Sequence, residues 1–254
     1  MAEITPTSVV LHVGTHKTGS SSLQQLLRDQ DAGLLATAGV SYPPGYLLPT
    51  LHADLPLLVM RPERMWPARI RFPETQRAGW QAAAEAHVRR QVRATPRRTL
   101  LYSHEDLSYV RHDDELHRLR DLFAGVEVNI VVILRDRAAF LRSYREQMEA
   151  TGFPASDDPT SFAYVEPDSW LVDYEALVGA YRRGFGEENV EVLDYDAIVG
   201  RDGSVIPAFA ERLGIERTAL PPLEPYFLNR SGMHLRPTPE QLADIRRRLA
   251  EHEP

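Results

Sequence analysis

The sequence predicts an α/β fold: a single domain in three layers, α/β/α, built on a central parallel sheet. Three observations carry this. The runs "SVVLHV" (8–13), "RTLLYS" (98–103), "VEVNIVVILRD" (126–136) and "NVEVLDY" (189–195) are apolar on both faces, as strands sandwiched between helices are. Segments of helical period separate them, so strands and helices alternate. No repeat, low-complexity tract or linker divides the 254 residues, a length that one domain can hold.

The elements follow in order. The first run ends at Gly14, and "SSSLQQLLRDQ" continues with Leu23, Leu26 and Leu27 at helical spacing behind capping serines. "GVSYP" (39–43) predicts a second strand. Residues 43–73, rich in Pro, Arg and aromatic side chains, show no period and are expected to form an irregular excursion. Residues 73–94 read as a helix with Pro73 in its first turn. A short helix is expected over 113–123. The longest β-branched run, 126–136, is the expected central strand. A helix over 137–150 turns Phe140, Leu141 and Tyr144 inward. Another over 168–186 is closed by Gly184 or Gly186. The strand at 189–195, a helix over 204–214 and a C-terminal helix entered by Thr238 and Pro239 complete the chain.

Composition narrows the function. The net charge of −7 argues against coating nucleic acid, so an anion site must be local. With no cysteine there is no disulfide framework and no thiolate nucleophile or metal site. The sequence offers no metal-ligand cluster, no apolar run near the ~20 residues of a membrane span and no secretion signal at its start. A soluble cytoplasmic protein is expected. The oligomeric state is not readable.

Ligands of such sheets bind beyond the carboxyl ends of the strands, so the loops after 13, 103 and 134 should converge. The first is "GTHKTGSSS". Glycines let backbone approach an anion, and the N–H groups of the loop and the helix start favour negative charge. Gly14 and Gly19 are spaced as in the triphosphate loop G-x-x-x-x-G-K-[ST], but Ser20 stands where that motif needs lysine. Lys17 is the single lysine among 29 Lys plus Arg. A chain drifting toward arginine would keep a compact ammonium where it faces a point of charge, because the guanidinium is wide and planar. Farther on, Arg135 ends the central strand and Ser143 follows eight residues later on a helix, a second candidate phosphate site. A connector turn and a solvated arginine face are the plain alternatives.

"GTHKTGSSSLQ" resembles the 5′-phosphosulfate loop of sulfotransferases that use 3′-phosphoadenylyl sulfate (PAPS), and "RDRAAFLRS" resembles their 3′-phosphate motif. "DYEALVGAYRRGFGEENVEVLDYDAI" and "LNRS" (228–231) are similar to late segments of bacterial and Golgi-type members. The resemblance leaves out roughly residues 43–95, and the Gly-x-Arg-Lys-Gly segment of cytosolic animal enzymes is absent. It implies a P-loop NTPase-like sulfotransferase fold, PAPS as co-substrate, adenosine 3′,5′-bisphosphate (PAP) as product and no metal. Lys17 would neutralise the bridging oxygen. Thr18, Gly19, Ser20, Ser21 and Ser22 would cradle the 5′-phosphate, with His16 at the phosphosulfate. Arg135, Ser143, Tyr195 and Arg230 would complete the nucleotide site.

The base would be His104 or Glu105, just past the strand at 98–103. An imidazole accepts a proton near neutrality, whereas a carboxylate needs desolvation to match it; one of the two should cap the following turn. His12 reads as a strand histidine. The acceptor would be a small molecule, sugar or natural product. The variable insertion 43–95 should lie on its side, with the five arginines and two tryptophans of 60–80 as a candidate wall and 151–170 as a lid. Two other readings stay open. One is a divergent kinase using ATP and Mg²⁺ held by Asp136 or Asp106. The other is a nucleotide-binding module without catalysis.

Overall fold

The structure is a computed structural model and describes residue 6 and residues 8–227. Five strands, β1 (Ser8–Gly14), β2 (Val40–Ser41), β3 (Thr99–Ser103), β4 (Glu127–Leu134) and β5 (Val190–Asp194), form one sheet in the order β2-β3-β1-β4-β5. Every pairing is parallel. The expected three-layer α/β/α domain is present; β1 lies between β3 and β4, and β4, the β-branched run expected as a central strand, is interior between β1 and β5.

Alternation along the strands makes the layers. Leu100 and Tyr102 of β3, with Ile130 and Val132 of β4, face one core. That core is closed by α2 (Asp54–Val59), α4 (Ala78–Ala94), α5 (Asp113–Leu122), α6 (Arg137–Thr151) and α7 (Tyr174–Phe185). Leu101, Val131 and Ile133 face the other core. It is covered by α1 (Ser20–Asp29), α8 (Tyr195–Asp202) and α9 (Ile206–Arg212). Side chains one residue apart on a strand point to opposite faces, so these runs are apolar throughout.

Four elements differ from expectation. The stretch 43–73 is not irregular: it holds α2 and α3 (Pro67–Arg71). Both are too short to show a period. The helix expected from 73 begins at Ala78, because Arg77 is extended (ψ 136°) and Pro73–Gln76 forms a separate 3₁₀ turn. The helix over 168–186 starts at Tyr174 behind the cap of Asp173, whose carboxylate accepts from Ala176 N, and the glycine beyond its end is Gly186. A helix not anticipated, α8, is started by the Asp194 carboxylate accepting from Ala197 N. Thr238, Pro239 and the helix expected after them lie outside the described residues, as do Arg230 and "LNRS". No helix among the described residues is long and apolar enough to cross a membrane.

The arginines expected to wall an acceptor site mostly hold the insertion together. Buried Arg69 donates to the carbonyls of Met60, Arg61, Pro62 and Arg64 and lies over Trp66. Arg61 pairs with Asp114 at 2.7 Å and Arg64 with Glu115 at 2.8 Å. The fully buried Glu115 carboxylate also accepts from the backbone N–H of Arg61, Arg111 and His112. Trp66 is 1% exposed. Arg71 stays at the surface, over the Phe153 ring.

Candidate active site

The ends of β1, β3 and β4 bring His16 and Lys17, His104 and Arg135 to one edge of the sheet. The loop after β1 is anchored to β4, because Thr15 donates through both N and Oγ1 to the carbonyl of Ile133. Lys17 is left-handed, φ 66°, the only such non-glycine among the described residues; Gly19 follows at φ 77°. A non-glycine there costs about 1–2 kcal/mol, so the surroundings must hold it. Thr18 Oγ1 donates back to Thr15 O at 2.6 Å, and Arg135 Nη1 reaches from the end of β4 to Lys17 O at 3.2 Å.

Gly14 is needed for space. A Cβ there would lie 2.8 Å from Ser20 Oγ, 2.9 Å from His12 Nε2 and 3.0 Å from Thr18 Oγ1. Ser20 Oγ and His12 Nε2 are buried and lack a hydrogen-bond partner, as does Arg135 Nε. The loop therefore carries buried polar atoms that the protein leaves unsatisfied. Gly19 faces Tyr195, and the Arg135 guanidinium lies 5.2 Å from that ring's centre. Thr18, Ser20 and Ser22 are buried at the loop and helix start, whereas Ser21 is exposed. Ser143 lies in the second turn of α6, half-buried, with no hydrogen bond to Arg135 among the described residues. Burial lowers the Lys17 ammonium below the usual lysine range, Arg135 lowers it further, and Glu146 and Glu105 oppose. A phosphate in the loop would raise it again.

The end of β3 contributes His104, Glu105 and Asp106. His104 is the expected cap of the next turn: its Nδ1 accepts from Asp106 N at 3.1 Å. A neutral ring with Nδ1 so occupied keeps its proton on Nε2 and presents a donor. Glu105 Oε2 accepts from Gln24 Nε2 at 3.4 Å, and that amide also reaches Ser103 Oγ at 3.1 Å. Asp106 was expected only as a magnesium ligand. It is instead buried between imidazoles, with Oδ1 3.2 Å from His16 Nε2 and Oδ2 3.9 Å from His104 Nδ1. Burial alone would raise its carboxyl; His104, His16 and Trp66 outweigh that and hold it below the ordinary carboxylate range. Asp136, the other magnesium candidate, caps α6 by accepting from Ala139 N at 2.8 Å. Both carboxylates are thus engaged by the fold, and the described residues hold no group of three or more acidic or histidine side chains placed for a metal.

His12 is indeed a strand histidine: fully buried, Nδ1 2.8 Å from Ser103 Oγ and ring edge-on to Phe209. Burial lowers its pKa from 6.5 to about 4. The contributions of Gln24 and Asp106 had no signal beyond their positions in "SSSLQ" and "SHED".

No family model matches the chain, and no curated protein matches it. Solved structures do. A sulfotransferase from Alicyclobacillus acidocaldarius superposes with a TM-score of 0.56 at 16% identity, over 97% of this chain and 92% of that one. A sulfotransferase domain from the curacin biosynthetic pathway gives 0.48 at 13% identity, over 92% and 82%. The sulfotransferase domain of the Synechococcus PCC 7002 olefin synthase gives 0.45 at 15% identity, over 98% and 96%. Of these, the first carries the assignment: the chain has the fold of a sulfotransferase.

Proposed function

We propose that the protein transfers a sulfuryl group from PAPS to a hydroxyl or amine of a small-molecule, carbohydrate or natural-product acceptor. The observation that carries the reading is the loop from Gly14 to Ser20, with its left-handed Lys17 and unsatisfied Ser20 Oγ, in a sulfotransferase fold. The donor set suits a nucleotide with two phosphate positions. Loop N–H groups and the hydroxyls of Thr18, Ser20, Ser21 and Ser22 would hold the 5′-phosphate, with His16 beside the phosphosulfate. Arg135, through its unsatisfied Nε, with Ser143 and Arg230, would hold the 3′-phosphate, and Tyr195 would flank the nucleotide. PAPS supplies the activated sulfuryl group. Lys17 would neutralise charge at the bridging oxygen, His104 would donate from Nε2, and Glu105 stands beside them. Residues 43–95 are assigned to the acceptor side, where Arg71 and Arg77 are exposed.

Thermal denaturation tests this. PAP should raise the melting temperature by mass action, and labelled PAPS should donate its sulfuryl group. A shift with ATP–Mg²⁺ and none with PAP overturns the proposal.

A further inference from the structure

In-line sulfuryl transfer needs a group to take the acceptor's proton. The two side chains at the end of β3 are poorly placed for it. His104 spends its Nδ1 lone pair on the N–H of Asp106, which leaves a proton on Nε2. Glu105 accepts from Gln24 and faces α1. His16 differs. It adjoins Lys17 in the loop, and its Nε2 lies 3.2 Å from the Asp106 carboxylate. That contact lacks the alignment of a hydrogen bond, but a carboxylate so near favours the proton on Nε2 and leaves Nδ1 as the ring's acceptor, as acidic partners do for catalytic imidazoles. The ring is fixed on both sides, 5.2 Å from Tyr109 and 5.1 Å from Tyr144 by centroid, with the two phenol oxygens 2.7 Å apart. Asp106 in turn is buried, its N–H on His104 Nδ1 at 3.1 Å and its Oδ2 3.9 Å from the same atom.

We propose that His16 is the general base of the transfer and that Asp106 is its positioning residue; this rests on the sulfotransferase reading. As the acceptor oxygen bonds to sulfur, its O–H bond breaks and the proton passes to His16 Nδ1. The bond from sulfur to the bridging oxygen breaks with its electron pair on the phosphate oxygen beside Lys17. In reverse, protonated His16 returns the proton to the departing alcohol or phenol.

The reverse reaction separates this role from a structural one. PAP is given 4-nitrophenyl sulfate, whose leaving group departs as an anion, or 4-methylphenyl sulfate, whose leaving group needs a proton. His16→Gln should lose at least about tenfold more rate with the 4-methylphenyl ester than with the 4-nitrophenyl ester. Asp106→Asn should show the same pattern more weakly, and it carries the test if His16→Gln does not fold. Equal losses with both esters overturn the proposal, as does the same pattern in Glu105→Gln or His104→Gln instead. If wild type turns over neither ester, the comparison is read on PAPS hydrolysis, and a His16→Gln rate equal to wild type overturns it. If wild type binds no PAP, the sulfotransferase reading itself falls.

Discussion

Arg135 donates from Nη1 to the carbonyl of Lys17 at 3.2 Å, across 118 residues of sequence. The residue that follows β4 thus holds the one left-handed non-glycine among the described residues. An arginine proposed for the nucleotide's second phosphate thereby also shapes the loop proposed for the first. Strain kept at a site persists only where its surroundings fix it, and here the fixing group is Arg135.

Replacing Lys17 should therefore separate stability from function. Lys17→Gly relieves the positive φ, so its melting temperature should equal or exceed that of wild type. Lys17→Ala keeps the strain and should not gain. Both should lose more than about a hundredfold in sulfuryl transfer. Lys17→Arg should fold but stay inactive, since a planar guanidinium cannot replace a compact charge. Calorimetry beside a labelled-PAPS assay reads all three, and normal turnover by Lys17→Arg would sink the role given to the ammonium.

Gly14→Ala tests the cradle. Its Cβ would stand 2.8 Å from Ser20 Oγ and 2.9 Å from His12 Nε2, distances that force the loop to move. PAP affinity should fall at least about tenfold by isothermal titration, while the sheet's far-ultraviolet circular dichroism is retained. Undiminished PAP binding would mean the anion does not sit in this loop.

The insertion makes a different prediction. Glu115 is fully buried and is the common acceptor for Arg64 and three backbone N–H groups. Glu115→Ala leaves the three backbone donors without a partner and takes the carboxylate from Arg64, which costs about 3–5 kcal/mol for a broken buried pair. Urea denaturation should show that loss, and limited proteolysis should cut first within 60–72. A loss under about 1 kcal/mol would mean the arginines find other partners.

These contrasts show what the sequence could reveal. The loop, the central strands and the order of helices were legible because local pattern dictates them: apolar runs, capping serines, a glycine before and after Lys17. The fates of Arg61, Arg64 and Arg69 were not legible. Their carboxylate and carbonyl partners come from a distant helix and from loop geometry, so an arginine-rich stretch that reads as a binding wall becomes a brace. The surroundings of Asp106 were not legible for the same reason, since its imidazole neighbours follow β1 and β3 and meet only in the fold. His104 was legible as a cap, but not which ring nitrogen the cap would use.

Two buried histidines predict how stability depends on pH. His12 and His52 are both fully buried, and burial lowers each pKa from 6.5 to about 4. His52 is held neutral by geometry as well: Nδ1 accepts from Ser103 N at 3.0 Å while Nε2 lies 2.8 Å from Pro43 O. Above pH 6.5 both states of the chain carry these rings neutral, and neither ring affects stability. As the pH falls from 6.5 toward 4, the unfolded chain binds protons that the native chain refuses, so stability is lost through that window and levels off below it. The loss approaches roughly 3 kcal/mol per histidine at pH 4. Asp106, held below its usual range, adds its loss at lower pH. Urea melts at pH 8, 6.5, 5.5 and 4.5 should trace this fall. His52→Gln, which cannot take up the proton, should be less stable than wild type at pH 8 yet lose less on acidification. An unchanged acid slope in that variant would show that His52 takes up its proton without unfolding.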